Sequence, residues 1–334
     1  MATLDWRLRR TLQAVFTVWF VITLTFIMVR ILPGNPMMRM LMELEQQGFE
    51  PASAARLVEI RLGFQPDDPL HIAYWNYMVA LLQGDLGRSI YYDRPVSGVL
   101  ADALPWTLFL MTHAIFISFF MGIILGAIMA YWEGGKLDVG LTTWAIFIGS
   151  VPFYVLAIIL LMYLSHRYAI FPAAGRSPTG VPWGFNLEFI IGIYYHGALP
   201  ILSMLVASGA ASLGMRGNSI RVLGEDYLRV ARLRGLTDFK ISVDYIARNA
   251  VLPLYTGLLI SIGSMFGGAI ILEIIFVYRG VGYYMMQGVW NRDYPLMMGA
   301  FVLITIAVVI ALFIADLTYS MIDPRAGGEG RETF

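Results

Sequence analysis

Long apolar stretches alternate with short polar ones along nearly the whole chain. A helix of about 20 apolar residues crosses a bilayer core, and six stretches reach that length. They are Thr11–Leu32, Pro105–Tyr131, Val139–Ser165, His196–Met215, Val251–Phe276 and Pro295–Ser320. Pro152 lies in the middle of the third stretch and is expected to kink it, because proline cannot donate a helical hydrogen bond. The pattern predicts an all-α, polytopic membrane protein with six transmembrane helices.

The segments between these stretches differ in character. Pro33–Leu104 is the longest region without a predicted span, and its apolar run Pro69–Leu82 has about 14 residues. That length is short for a span, so a packed or interfacial helix is expected there. His166–Tyr195 is predicted to be a second long loop, and Tyr278–Pro295 a short helix at the membrane surface.

Composition agrees with a membrane protein and excludes several other classes. The chain of 334 residues is 58% hydrophobic and 14% charged, and its mean hydropathy is +0.68. A formal net charge of zero gives no general attraction to nucleic acid. The absence of cysteine excludes disulfides and thiolate metal sites, and four scattered histidines argue against any other metal site.

The distribution of positive charge predicts the orientation in the membrane. The two termini, the turn at 132–138 and the loop at 216–250 would share one side, and they hold 13 Lys and Arg in 66 residues. The opposite loops hold 9 in about 120 residues. Because cytoplasmic loops are enriched in Lys and Arg, both termini are expected in the cytoplasm of a multi-pass cell-membrane protein.

The most charged part of the chain, Gly224–Pro253, is predicted to fold as two short helices. Glu225–Arg234 begins with acidic residues and ends with arginines, as the helix dipole favours. Gly235 can end this helix in the left-handed conformation. Thr237 can cap a second helix that runs toward Pro253. Two such helices at an angle would form a compact surface feature, and residues 225–250 are named the knob below.

The knob resembles the loop by which ABC importer permeases dock on their ATPase subunits. The sequences EDYLRVARLRGL (225–236) and RNAVLP (248–253) are similar to the oligopeptide/dipeptide-type permeases. The general importer pattern has Glu-Ala-Ala four residues before the glycine, whereas this chain has Arg229-Val230-Ala231. Its Leu252-Pro253 also falls later than in sugar and amino-acid permeases. Both departures are usual in the peptide-type branch.

Shorter motifs extend the resemblance from Arg10 to Arg325. They are GDLGRS at 84–89, RPV at 94–96, and the ending that begins with DYPL at 293–296 and closes with DPR at 323–325. The resemblance implies a type I ABC importer permease fold with an extracytoplasmic insertion between the first two helices.

The implied organisation has four parts. Residues 1–32 would form the cytoplasmic N-terminus and first helix, 33–104 the extracytoplasmic insertion, and 105–320 the core permease domain. Residues 216–250 of the core would be the cytoplasmic coupling loop, and 321–334 a cytoplasmic tail. Residues implied to couple to the ATPase are Glu225, Asp226, Tyr227, Arg229, Ala231, Arg232 and Gly235.

The resemblance also implies the partners and the activity. One chain would form half of a translocation pathway for peptides or similar small oligomeric solutes, among them oligosaccharides. Its outer surface would contact membrane lipid. The expected partners are a second homologous permease, two cytoplasmic ATP-binding subunits and an extracytoplasmic solute-binding protein. ATP-Mg would be bound by the ATP-binding subunits, and no cofactor or enzymatic activity is expected in this chain. Its own Gly135-Lys136 is followed by Leu137, so the phosphate-binding motif is not completed.

Small polar residues in the predicted fourth and fifth spans are candidates to line the path: Ser208, Ser212, Ser261, Ser264 and Gly267. The spacing of Gly122 with Gly126, and of Gly263 with Gly267, permits close approach of helices.

Two alternatives from other classes are an ion-coupled secondary transporter and a membrane-embedded enzyme. The first needs ionisable groups at mid-membrane depth, but His113 is a lone histidine and Glu273 lies near a span's outer end. His113 is expected to hydrogen-bond within the bundle, and Glu273 is expected to have a structural role near the interface. The second needs a Ser/His/Asp or His/Glu grouping at one depth, and the sequence has none.

Overall fold

The computed structural model describes residues 4–31, 41–42, 44–62, 69–206, 209–223 and 225–322. Within these ranges the regular secondary structure is helical, joined by turns and loops, and one isolated antiparallel bridge forms between Arg88 and Pro95. The helices are α1 Leu4–Ile31, α2 Pro51–Leu62, α3 Leu70–Leu82, α4 Val96–Tyr131, α5 Lys136–Gly149, α6 Phe153–Leu160, α7 Leu187–Val206, α8 Gly209–Leu223, α9 Asp226–Leu233, α10 Asp238–Ile241, α11 Arg248–Ile275, α12 Val281–Trp290 and α13 Tyr294–Ile322. Two π-helical turns follow α6 and α10, at Leu161–Arg167 and Ser242–Ala247.

Among the described residues, four helices are long and apolar enough to cross a membrane. Their apolar parts are Leu8–Met28, Val96–Tyr131, Leu187–Leu205 and Tyr294–Ile314. The pair formed by α5 and α6 with its π turn would make a fifth if it is one broken span. A helix covers the predicted fifth span, since α11 has 28 residues. The predicted total of six spans stays a prediction.

The predicted kink at Pro152 is confirmed, and the helix is broken there into two separate segments. Helix α5 ends at Gly149, Pro152 is the N-cap of α6, and the two helical segments meet at 93°. Proline lacks the N–H that would continue the hydrogen bonding of α5, so the helix restarts instead of bending.

The predicted fourth span, His196–Met215, begins nine residues too late. Helix α7 begins at Leu187, so the end of the predicted loop His166–Tyr195 is helical. Asn186 Oδ1 accepts a hydrogen bond from the Phe189 N–H at 2.7 Å, which caps this helix end. Similarly, α4 begins at Val96 and contains Pro105, which was predicted to start the second span.

The described chain divides into two compact units, and α4 and α13 contribute to both. The second unit contains residues 3–108 and 279–313. In it, Phe26 of α1 packs against Tyr74 and Tyr77 of α3, with ring centroids 5.4 and 5.5 Å apart. Thr23 Oγ1 lies 2.7 Å from the Tyr74 hydroxyl. Helix α3 is therefore the packed helix that its short apolar run predicted.

A buried carboxylate joins two distant loops of the second unit. Asp293 Oδ2 accepts hydrogen bonds from the Ser89 hydroxyl and from the Tyr91 N–H, and Oδ1 accepts one from the Leu296 N–H at the start of α13. The adjacent Tyr92 ring packs edge-on against Tyr284 of α12. Burial and this neighbouring tyrosine raise the pKa of the Tyr92 hydroxyl to about 12, so it stays neutral at physiological pH.

The first unit contains residues 109–278, in which α8 lies very close to two other helices. A Cβ at Gly126 of α4 would lie 2.5 Å from the Ser212 carbonyl oxygen of α8, and one at Gly122 would lie 2.7 Å from Ala211 Cβ. A Cβ at Gly209 of α8 would lie 2.5 Å from the Ala145 carbonyl oxygen of α5. The predicted close approach at Gly122 and Gly126 is confirmed. The prediction for Gly263 and Gly267 stays a prediction, because the structure does not describe the surroundings of these two residues in α11.

Candidate functional site

The first helix of the knob, α9, is strongly amphipathic. Leu228 and Ala231 are buried and form a small hydrophobic cluster with Ile241 of α10. Asp226 occupies the first turn and Arg232 the last, as the helix dipole favours. The helix of the structure runs Asp226–Leu233 with Glu225 as its N-cap, which agrees with the predicted helix to within one residue at each end.

Gly235 ends this helix in the left-handed conformation, with φ of +73°, as predicted. The Leu236 N–H donates to the Ala231 carbonyl at 3.3 Å, and the Gly235 N–H donates to the Arg232 carbonyl at 2.9 Å. These two bonds define a Schellman motif, which satisfies the last carbonyl groups of a helix and reverses the chain. Leu236 packs onto the cluster that contains Ala231. Gly235 therefore sets the angle at which the chain leaves α9.

The second half of the knob begins with the predicted cap and continues as a helix beyond Pro253. The Lys240 N–H lies 3.4 Å from Thr237 Oγ1. From Asp238 the helical backbone continues through α10, the π turn Ser242–Ala247 and α11 without interruption. The second helix runs toward Pro253 as predicted, and it continues past this residue, because Pro253 lies inside α11. A proline inside a helix removes one backbone hydrogen bond, and the helix continues when the surrounding structure holds it.

The outward face of α9 combines apolar and cationic side chains. Tyr227, Val230 and Leu233 are exposed at intervals of three residues, and the Leu233 side chain is 81% exposed. Arg229 and Arg232 lie between them in the sequence and Arg234 follows Leu233, and all three arginines are exposed. The Tyr227 ring also stacks at 6.4 Å on Tyr245, which ties the start of α9 to the π turn. A rigid helix with a mixed apolar and cationic face has the character of a protein-docking surface.

A bidentate ion pair fixes α8, the helix before the knob, to the start of α5. Arg216 Nε lies 2.6 Å from Asp138 Oδ1, and Nη2 lies 2.7 Å from Oδ2. The Gly134 N–H donates to Oδ2 at 2.9 Å, and Thr142 Oγ1 donates to Oδ1 at 3.2 Å. Both carboxylate oxygens of this buried group are thus satisfied, as a buried charge requires. No local sequence signal indicates this pair, since 78 positions separate its members.

Of the candidate path residues, the structure describes the side-chain surroundings of Ser212 on α8 and Ser261 on α11. Ser212 is buried and its hydroxyl donates to the Gly209 carbonyl at 2.7 Å. Ser261 is exposed on α11 and its hydroxyl donates to the Gly257 carbonyl. Ser208 lies outside the described residues. Ser264 and Gly267 lie in α11, but the structure does not describe their surroundings. Their role in a path stays a prediction.

The two ionisable residues singled out within the spans are both engaged. His113 Nδ1 lies 2.7 Å from the Phe109 carbonyl oxygen, so this nitrogen carries the proton. His113 Nε2 then accepts from the Tyr194 hydroxyl at 2.9 Å. The predicted bonding of His113 within the bundle is confirmed. Glu273 is fully buried near the end of α11, and its carbonyl oxygen accepts a bond from the Tyr278 N–H.

Comparison with known proteins shows consistent similarities. Residues 122–328 match the family described as "Binding-protein-dependent transport system inner membrane component". The chain is 30% identical to the dipeptide transport system permease protein DppB of Bacillus subtilis (strain 168), over 92% of this chain and 93% of that protein. It is 31% identical to the oligopeptide transport system permease protein AppB of the same organism, over 95% of this chain and 98% of that protein.

One solved structure shows the same fold. A chain from an inward-facing crystal form of the MetNI methionine ABC transporter superposes with a TM-score of 0.53, covering 67% of this chain and 96% of that chain at 17% identity. Among the residues that the structure describes, no group of three or more His, Cys, Asp or Glu is placed to hold a metal ion.

Proposed function

Because the chain belongs to the family of binding-protein-dependent transport system inner membrane components, and is thus an ABC importer permease subunit, we propose that it forms half of a peptide translocation pathway. Peptides are the favoured solutes because the relatives DppB and AppB are dipeptide and oligopeptide permeases. Oligosaccharides and other small oligomeric solutes remain within the proposal. A second homologous permease would supply the other half of the pathway.

The observation that carries this proposal is the construction of the knob. A short helix with an apolar and cationic outer face is anchored by a buried cluster and ended by a Schellman turn. Such a helix can fit a groove on a cytoplasmic ATP-binding subunit, with Tyr227, Val230 and Leu233 as apolar anchors. Glu225, Asp226, Arg229 and Arg232 would supply the polar rim, Ala231 the buried support, and Gly235 the exit angle.

The connections of the knob indicate how movement would reach the membrane. Helix α8 enters the knob, and it is joined to α5 by the Asp138–Arg216 pair and packed against α4 at Gly126. The knob leaves by an uninterrupted helix into α11. Because close-packed elements move together, displacement of the knob by a closing ATP-binding subunit would move α8 together with its neighbours. This is the basis of the proposed alternating access.

The remaining parts of the proposal concern the environment of the chain. Two ATP-binding subunits would hold ATP-Mg in the cytoplasm, where both termini would also lie. An extracytoplasmic solute-binding protein would deliver the solute to the outer face. The serines at 208, 212, 261 and 264, with Gly267, are the proposed contacts along the path, which small polar groups can line without a buried charge.

Uptake into reconstituted vesicles tests the energy source and hence the function. Four conditions are compared: this chain alone, the full complex with binding protein and ATP, the full complex without ATP, and the full complex with ATP and an ionophore that collapses ion gradients. Only the second and fourth conditions should accumulate a labelled dipeptide. Gradient-driven uptake by the chain alone would overturn the proposal and favour an ion-coupled secondary transporter.

A further inference from the structure

A cavity of about 390 Å³ lies between the knob and the adjacent ends of α4 and α8, within the first unit. Ligand sites generally have volumes of roughly 300–1,000 Å³, so this cavity can hold a small molecule. Part of its wall is apolar and is formed by Met215, Leu223, Ile241 and Ile246. Such a wall accommodates a short aliphatic group.

The rest of the wall carries polar groups, which include a buried hydroxyl, a carboxylate, a guanidinium and the phenol of Tyr131. Ser219 of α8 is 1% exposed, and its hydroxyl has no hydrogen-bond partner among the described residues. A buried hydroxyl without a partner is costly, so its presence beside a cavity points to a ligand atom that completes it. Glu133 and Arg232 contribute a carboxylate and a guanidinium. Among the described residues neither forms an ion pair within 4 Å, although Glu133 also interacts electrostatically with Arg216.

We propose that this cavity binds a small zwitterion that carries a primary ammonium and an anionic group on an apolar body. The forked donors of Arg232 suit a carboxylate or a phosphate. The carboxylate of Glu133 accepts hydrogen bonds from a primary ammonium. The Ser219 hydroxyl can bond to either end, and the apolar body lies against Met215 and Leu223. A free short peptide and an ethanolamine phospholipid share this chemistry.

Occupation of the cavity would link two parts of the chain through one bound molecule. Glu133 belongs to the turn between α4 and α5, and Arg232 belongs to the knob. A zwitterion bound to both would restrain the knob relative to that turn. This effect on transport rests on the proposed function, whereas the binding itself does not.

A unique thiol at the cavity reports its occupancy. The chain has no cysteine, so Ala127→Cys, at the cavity wall, introduces a single reactive site. The full chain is placed in nanodiscs of phosphatidylcholine and labelled with a small methanethiosulfonate reagent. Alanyl-leucine or dihexanoyl phosphatidylethanolamine should slow labelling several-fold, and the probe that does so identifies the source of the zwitterion. N-acetyl-alanyl-leucine and dihexanoyl phosphatidylcholine, which lack a primary ammonium, should not slow labelling.

Substitutions then assign the polar groups. In the Ala127→Cys protein, Glu133→Gln and Ser219→Ala should each weaken the protection by about tenfold in probe concentration, the scale of one lost hydrogen bond to a charged group. Ser203→Ala is the matched control, because Ser203 is a buried serine whose hydroxyl already donates to the Pro200 carbonyl. It should leave the protection unchanged.

Three results would overturn the proposal: no probe slows labelling, the acetylated peptide protects as well as the free one, or Glu133→Gln and Ser219→Ala bind like the parent. Isothermal titration of the same probes into the chain without the cysteine gives a second readout that is independent of thiol reactivity. Neither measurement uses partner subunits or ATP. A failure of uptake in the vesicle experiment would therefore contradict the proposed function, whereas a failure of binding in these two measurements would contradict the cavity proposal alone.

Discussion

Asp138 and Arg216 form one ion pair but differ in burial, since the Asp138 side chain is 3% exposed and the Arg216 side chain 27% exposed. The carboxylate has no access to water that could replace the guanidinium, whereas the guanidinium is partly hydrated. Removing one partner of a buried pair is costly mainly because the other charge is left buried. The two residues are therefore not equivalent as targets of mutation.

Arg216→Met should destabilise the purified chain more than Asp138→Asn does. The first substitution leaves a buried carboxylate with only the Gly134 N–H and the Thr142 hydroxyl as donors, and losses of about 3–5 kcal/mol are typical of such a change. The second leaves a partly hydrated guanidinium and should cost about 1–3 kcal/mol. Thermal unfolding midpoints in detergent should rank parent, Asp138→Asn, Arg216→Met from highest to lowest.

The double variant Asp138→Asn with Arg216→Met separates the charge effect from packing. With both charges removed, no buried charge is left unpaired, so most of the loss seen in Arg216→Met should be recovered. A double variant that unfolds as early as Arg216→Met alone would show that the pair is not the cause.

Gly235→Val should uncouple ATP hydrolysis from the binding protein while the chain still folds. A Cβ at Gly235 would meet nothing within 4 Å, so the cost arises from its φ of +73° and not from a clash. For a β-branched residue in this conformation that cost is about 1–3 kcal/mol, and relaxation would change the exit angle from α9. Substrate-stimulated ATPase activity of the assembled complex should fall sharply.

Asparagine provides the control at this position, because it adopts positive φ more readily than other non-glycine residues. Gly235→Asn should retain most of the stimulated ATPase activity. The role assigned to Gly235 would be refuted by undiminished stimulation in the valine variant.

Gly126→Ala and Gly140→Ala should change stability in opposite directions. A Cβ at Gly126 would lie 2.5 Å from the Ser212 carbonyl oxygen, so α4 and α8 must separate, at a cost of about 1–3 kcal/mol. Gly140 of α5 has open space around it, and alanine there should gain up to about 1 kcal/mol from its better helix propensity. Unfolding midpoints of the two variants in detergent measure the difference. Equal shifts would contradict the close contact.

Local signals explain which backbone features the sequence predicted correctly. The positive φ of Gly235, the cap at Thr237 and the kink at Pro152 each depend on the backbone chemistry of one residue and its near neighbours. The contacts that join distant segments could not be found in this way. Asp138 with Arg216 and Ser89 with Asp293 lie 78 and 204 positions apart.

Prolines show why the helix boundaries were predicted less accurately than the local backbone features. Pro152 separates two helices, but Pro105, Pro200 and Pro253 lie inside helices. The identity of the residue is the same in all four cases, so the outcome depends on tertiary packing that the sequence pattern does not contain. The early start of α7 was detectable, because Asn186 is a favourable N-cap directly before an apolar run.

The proposed orientation predicts which single cysteines react from each side of the membrane. Lys136 and Arg234 are exposed in the turn after α4 and in the knob, and Gln47 and Thr179 are exposed in the two long loops. The excess of Lys and Arg on one set of loops predicts that the first two lie in the cytoplasm. Cysteines at 136 and 234 should therefore react with a membrane-impermeant maleimide only in inverted vesicles, and those at 47 and 179 only in intact cells. Because the parent chain has no cysteine, each signal arises from one site. Reaction of 47 and 234 from the same side would rule out the six-span arrangement.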